Sequence, residues 1–230
     1  MSSTTLIPEE ELVFGGTRAC PGCGAIIALR TVLKALGNNC IFVIPASCST
    51  IISGKFPLTP FKVPVLNMPF ATAAAAASGI VAALEVMEKD QDITVVAWAG
   101  DGGTADIGLQ ALSGAAERGT NFLYICYDNE AYMNTGNQRS GATPFGALTT
   151  TTPTGKFELK KDMPMIMAAH NIPYIATACS AFPNDLFQKT KKAQKLTGTR
   201  YIHILSPCPT GWRFDSGLSI AVGRKAVSTG

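Results

Sequence analysis

Short apolar runs alternate with stretches of helical spacing along most of this chain. Ala25 to Leu36 carries a helical pattern that Gly37 stops, and Cys40 to Ile44 follows as a buried strand. Val63 to Leu66 is a further strand candidate. A small-residue helix is expected near Ala71 to Lys89, where alanines and Gly79 allow close backbone approach. Ile93 to Trp98 reads as a strand, Ile107 to Arg118 as a helix and Phe122 to Tyr127 as a strand. Beyond a long polar loop, Asp162 to His170 reads as a helix with Pro164 in its first turn, and Tyr174 to Thr177 as a short strand. Asn184 is the expected N-cap of a helix reaching Leu196, with Pro183 just before it, and Tyr201 to Leu205 closes the series as a strand. Strand and helix in alternation predict an α/β fold, a three-layer sandwich whose mainly parallel sheet is covered on both faces.

That pattern runs through residues 1–230 with no linker and no fixed-period repeat, so one domain is expected. The loop from Asn129 to Gly155 is too long for a plain connector, and such loops are usually functional or mobile. In parallel sheets ligands collect beyond the carboxyl ends of the strands. Asp101 and Asn129 both fall there.

Composition narrows the function classes. Charged residues make up 15% of the chain, against roughly 25% in an average soluble domain. Some surface is therefore expected to be buried against other chains. The net charge of +3 is dispersed, and Lys189, Lys191, Lys192 and Lys195 lie at helical spacing, so a solvated helix face is expected and no nucleic-acid site. The opening "MSSTTLIPEEELVFGG" lacks the apolar core of a leader, and Met68 to Leu84 is too weakly hydrophobic to span a bilayer. A soluble, cytoplasmic protein is expected, in which seven cysteines argue for metal or redox chemistry before disulfides.

Gly100, Gly102 and Gly103 flank Asp101 and let the backbone turn close to a ligand. The helix that follows aims its N–H groups at the same point, a seat for phosphate. A carboxylate there would repel phosphate unless a hard cation lay between, so Asp101 implies Mg²⁺, with Asn129 and the Ala131 carbonyl as further oxygen donors. An ordinary glycine turn and an unrelated strand-end asparagine remain the alternative. Cys20 and Cys23 form "CPGC"; Cys48 and Cys208 each follow a strand, so four thiols can meet at the ligand-bearing edge. Zinc, a redox dithiol and an iron–sulfur cluster all suit such ligands. Cys40, Cys126 and Cys179 read as small core residues. His170 and His203 have no evident partner.

Taken together, "GTRACPGCGAIIALR", "GDGG" followed by "YDNEAYMNTGNQRS", and "SPCPTGWR" resemble the β subunits of 2-oxoacid:ferredoxin oxidoreductases, pyruvate synthase in particular, from about Gly16 onward. The resemblance implies the thiamine-diphosphate-binding fold. It implies thiamine diphosphate held through Mg²⁺ by Asp101, Asn129 and Ala131 within the Gly100, Gly102 and Gly103 turn. It further implies one [4Fe–4S] cluster on Cys20, Cys23, Cys48 and Cys208, with Cys48 also beside the cofactor. Asn134 matches a position facing the reacting carbon, and Gly136 and Gln138 shape its loop. Position 25 is alanine where some relatives carry glutamate, so the carboxylate that fixes the aminopyrimidine tautomer is expected from an α-type partner. Clusters that carry electrons onward to ferredoxin are expected on a further ferredoxin-like subunit. Separate β subunits of this type continue beyond "PCPTGWR" for longer than this chain does. The implied reaction is oxidative decarboxylation of a 2-oxoacid with transfer to coenzyme A. Pyruvate is the expected substrate, and oxalate or a branched-chain 2-oxoacid are alternatives. A non-redox thiamine decarboxylase and a zinc-stabilised scaffold are the rival readings.

Overall fold

The structure, a computed structural model, describes residues 7–55, 57–89 and 92–230; residues 1–6 of the opening stretch lie outside it. Six strands form one sheet: β1 (Cys40–Pro45), β2 (Val65–Met68), β3 (Thr94–Gly100), β4 (Leu123–Asp128), β5 (Tyr174–Cys179) and β6 (Arg200–Leu205). Their order is β2-β1-β3-β4-β6-β5, and every neighbouring pair is parallel. The helices are α1 (Gly24–Leu36), α2 (Cys48–Ser53), α3 (Ala73–Val86), α4 (Leu109–Glu117), α5 (Met163–Ala168), α6 (Pro183–Gln194), α7 (Pro209–Trp212) and α8 (Ser219–Thr229).

Strand alternation explains the three layers. Val96 and Trp98 of β3 pack with Leu29 and Leu33 of α1 and Leu186 of α6. Val95, Ala97 and Ala99 turn the other way, against Ala77 and Val81 of α3, Leu112 of α4 and Met167 of α5. Both faces are apolar because both are covered. The chain leaves β1 toward β2 and then returns past it to β3, so the crossovers diverge at the β1–β3 boundary. Such a divergence opens a crevice at the carboxyl ends of those strands.

Several sequence expectations need correcting. Asn184 does not cap α6: Phe182 occupies that position and Pro183 is the first helical residue. The fixed φ of proline suits the first position of a helix, where its missing N–H costs nothing. Asp162 does cap α5, accepting from the Met165 N–H at 3.1 Å. The helix expected from Ile107 is preceded by a π-helical turn, Gly102–Asp106. There Gly108 packs so tightly that a Cβ on it would lie 2.0 Å from the Gly103 carbonyl oxygen. Three helices, α2, α7 and α8, had not been anticipated; α2 and α7 are too short for a periodicity to show. No helix among the described residues is long and apolar enough to cross a membrane.

The long loop after β4 is ordered by its own polar groups. Lys156 is 1% exposed, and its ammonium donates to the carbonyls of Thr143 at 2.6 Å and Leu159 at 3.4 Å. Burial lowers its pKa. Replacing it with methionine leaves these carbonyls unpaired, each at a cost of about 1–3 kcal/mol. Lys156→Met is expected to lower the melting temperature by several degrees in a thermal unfolding scan; an unchanged value would deny the ammonium this role.

Candidate functional site

Three strand ends build the site. The segment after β1 carries Ser47 and Cys48, the turn after β3 carries Gly100 to Gly103, and the segment after β4 carries Asn129 to Thr135; together they wall a cavity of about 150 Å³. Trp98 fixes the first of these. Its ring stacks on Tyr127 with centroids 5.3 Å apart, and its indole N–H donates to Ser49 Oγ at 2.9 Å. The fully buried core of β3 thereby anchors the residue next to Cys48.

The glycines around Asp101 have separate reasons. A Cβ on Gly102 would lie 2.2 Å from the Tyr132 ring, so the ring itself demands glycine there. At Gly103 the nearest atom to such a Cβ is 3.8 Å away, so internal crowding does not explain it. Tyr132 is held in place by donating its hydroxyl to Asp106 Oδ2 at 2.7 Å.

Asp101 is 2% exposed, and its Oδ2 accepts from Ser140 Oγ. Burial, and then the Asp128 carboxylate, push its pKa well above the usual carboxylate range. The end of the Asn129 amide facing it lies 3.1 Å from Asp101 Oδ1 and 2.8 Å from the Ala131 carbonyl oxygen. With its nitrogen inward this amide donates to both oxygens. With its oxygen inward, three acceptors meet, and a cation or a proton on Asp101 reconciles them. Octahedral Mg²⁺ with bonds of 2.0–2.1 Å sets adjacent oxygens about 2.9 Å apart. The three groups therefore fit that ion in spacing and in chemistry, and a cation would also relieve the buried Asp101 carboxylate.

The turn that bears Asn129 and Ala131 is pinned from three sides. Glu130 adopts the left-handed conformation at φ 70°, and its N–H donates to Asp128 Oδ1 at 2.8 Å. Its carbonyl accepts from Thr143 Oγ1. The carbonyl of Asn129 accepts from Trp212 Nε1 at 2.9 Å.

A second cavity of about 180 Å³ abuts the first and is lined by Cys20, Cys23, Cys48 and Cys208. The local chain explains why these distant residues meet. The Gly24 N–H donates to the Pro207 carbonyl at 3.1 Å, and a Cβ on Gly24 would lie 2.7 Å from that oxygen. Glycine at position 24 lets the CPGC turn press against the residues beside Cys208. Among the described residues no three His, Cys, Asp or Glu side chains are gathered tightly enough for a single metal ion. Burial raises the pKa of Cys23 and Cys208. Burial, then the neighbouring Cys23, Cys208, Cys20 and Asp101, raises that of Cys48 to about 12. Thiols so placed ionise readily only with positive charge among them, such as a bound metal would supply. The donor set fits.

Cys40, Cys126 and Cys179 are buried and unpaired, as expected of core residues. His203 does have a partner, contrary to the sequence reading: Nε2 lies 2.9 Å from Asp128 Oδ2 and Nδ1 lies 2.8 Å from the Tyr201 hydroxyl. Burial alone would lower its pKa, but contact with Cys126 and Asp128 outweighs this and raises it to about 10. His170 likewise meets Ser113 Oγ at 2.8 Å. The pairings of His203 with Asp128 and of His170 with Ser113 join residues far apart in sequence, and no local pattern announces them. The lysine face expected on α6 is also partly engaged, since Lys189 donates to Asp185 and to the Thr177 carbonyl. A larger cavity, about 820 Å³, opens beside β5 and β6, but its lysines are already matched. Lys160 pairs with Asp128 and Glu130, Lys161 with Asp106, and Lys189 with Asp185.

Comparisons with known proteins agree with this geometry. Residues 47–204 match the family model described as thiamine pyrophosphate enzyme, C-terminal TPP binding domain. Pyruvate synthase subunit PorB of Methanothermobacter thermautotrophicus is 53% identical over 229 residues, covering 97% of this chain and 79% of that protein. Ketoisovalerate oxidoreductase subunit VorB of Pyrococcus horikoshii is 53% identical over 232 residues, covering 97% and 75%. Among solved structures, 2-oxoglutarate:ferredoxin oxidoreductase from Magnetococcus marinus superposes with a TM-score of 0.77 at 23% identity, over 96% of this chain and 81% of that one, which speaks to the fold. Motif order, sheet topology and relatedness lead to one conclusion: the chain belongs to the β-subunit family of the 2-oxoacid:ferredoxin oxidoreductases and carries that family's thiamine pyrophosphate-binding domain.

Proposed function

We propose that this chain holds thiamine diphosphate through Mg²⁺ on Asp101, Asn129 and Ala131, and one [4Fe–4S] cluster on Cys20, Cys23, Cys48 and Cys208. The observation that carries this reading is that the two cavities share three residues, Cys48, Asn129 and Asn134. Thiamine diphosphate, when bound, supplies a carbanion sink for decarboxylation, and an adjacent cluster accepts electrons singly. The chain's own residues do the rest. Asp101 and Asn129 orient the cation, the Gly102–Gly103 backbone admits the diphosphate, and Cys48 separates the two groups. The Asn134 amide stands at their boundary, where it can donate a hydrogen bond to a developing oxyanion.

Overall, a 2-oxoacid, coenzyme A and two oxidised ferredoxins give acyl-CoA, CO₂, a proton and two reduced ferredoxins. Pyruvate is the substrate proposed, with 2-oxoisovalerate the second reading, because relatives of equal identity are named for each. The setting proposed is a cytoplasmic hetero-oligomer. Ala25 lines the cysteine cavity where a carboxylate is absent, which supports a glutamate donated by an α-type subunit. Phe145, Leu148, Phe157 and Leu159 are 63%, 69%, 76% and 80% exposed on the long loop, a surface suited to subunit contact. The test is anaerobic reduction of ferredoxin by the purified enzyme with coenzyme A and either acid. Faster turnover with pyruvate is expected; faster turnover with 2-oxoisovalerate reassigns the substrate, and no 2-oxoacid-dependent reduction removes the redox reading.

A further inference from the structure

The one-turn helix α7 starts at the wall of the cysteine cavity, which Pro209 lines, and its far end reaches the turn that bears Asn129. Its N-terminal residue is capped by Cys208, whose sulfur accepts from the Gly211 N–H at 3.3 Å and whose carbonyl accepts from the Trp212 N–H at 2.8 Å. Its far end sends the Trp212 indole N–H to the Asn129 carbonyl at 2.9 Å. Between them, Gly211 faces Met133 so closely that a Cβ would fall 2.0 Å from the sulfur of Met133. Arg213, left-handed at φ 58°, then ends the helix abruptly. A buried or half-buried carbonyl keeps its orientation only while its donor stays in place. The donor here belongs to the cysteine turn, and the acceptor belongs to a metal ligand.

We propose that Trp212 is a positioning residue that locks the Asn129–Ala131 ligand turn to the Cys208 turn, so that the cation site is set by the packing of α7. This rests on the cation and cluster sites proposed above. Metal affinity then depends on whether the cysteine turn is properly ordered, and that dependence passes through one indole N–H.

The experiment measures Mn²⁺ affinity, as a stand-in for Mg²⁺, by electron paramagnetic resonance on the whole enzyme in the presence of thiamine diphosphate. Trp212→Phe keeps an aromatic ring at this position and removes the donor together with the second ring of the indole. It is expected to weaken Mn²⁺ binding roughly three- to tenfold, the worth of one neutral hydrogen bond, with iron and sulfide unchanged. Stripping iron with a chelator is expected to weaken Mn²⁺ binding in the unmodified enzyme and to change little further in the variant. Gly211→Ala, whose Cβ meets the Met133 thioether beside α7, is expected to weaken Mn²⁺ binding as well and serves if Trp212→Phe folds poorly. Equal Mn²⁺ affinity in the variants and the unmodified enzyme overturns the link. Failure of the unmodified enzyme to bind Mn²⁺ with thiamine diphosphate overturns the site itself, and the link with it.

Discussion

Asp101→Ala is expected to abolish retention of thiamine diphosphate and to lower 2-oxoacid oxidation by more than about a hundredfold, or about 2.7 kcal/mol. The reason lies in what surrounds that carboxylate. It is buried, faces Asp128, and has a single hydroxyl donor in Ser140. Burial and repulsion raise its pKa, so a proton competes with the cation for it. Two consequences can be measured together. Mg²⁺-dependent binding of thiamine diphosphate weakens as pH falls, because protonated Asp101 is no ligand. In Asp101→Ala that binding is lost at every pH. Isothermal titration across pH values checks both, and a variant that still bound the cofactor normally would refute the ligand assignment.

Cys208→Ser is expected to remove one cluster's iron and sulfide, with the dithionite-bleachable visible absorbance they carry, while thiamine diphosphate stays bound. Serine keeps an oxygen that can cap α7 in place of sulfur, so the substitution isolates the thiolate from the helix it begins. Reduction of an artificial dye driven by a 2-oxoacid is expected to fall by more than about a hundredfold. Anaerobic iron and sulfide counting on the purified enzyme decides the matter. An unchanged count would take Cys208 out of the ligand set and favour a decarboxylase without redox chemistry.

The sheet was legible in the sequence because β1, β3 and β4 are buried on both faces and read as apolar runs, and β6 is interrupted only by His203 after Arg200. The two residues proposed as metal ligands stand out for a related reason: Asp101 and Asn129 are polar residues at the tips of such runs. The meeting of the four cysteines was legible only through the strands preceding Cys48 and Cys208 and through family resemblance. Glycine at position 24, which seats the CPGC turn, gives no such signal alone. Short helices escaped because one turn has no period, and α7 is the costly case, since it carries Trp212. The cap of α6 was misplaced by one reasonable rule yielding to another: asparagine favours caps, yet proline at the first helical position left Phe182 as the residue outside. His203 looked inert because its partner Asp128 sits on a neighbouring strand, and spacing along the chain does not encode which strands are neighbours.

The wall that carries Cys20 is made well before the wall that carries Cys208. Strand β6 must insert between β4 and β5, a non-local pairing of the kind that slows folding. At ribosomal speeds of roughly 5–20 residues per second, the interval between making the two cysteines is on the order of ten to forty seconds. Through that time the cluster site proposed on Cys20, Cys23, Cys48 and Cys208 lacks its fourth ligand, so on that proposal the order of synthesis sets the earliest moment at which a cluster can be loaded.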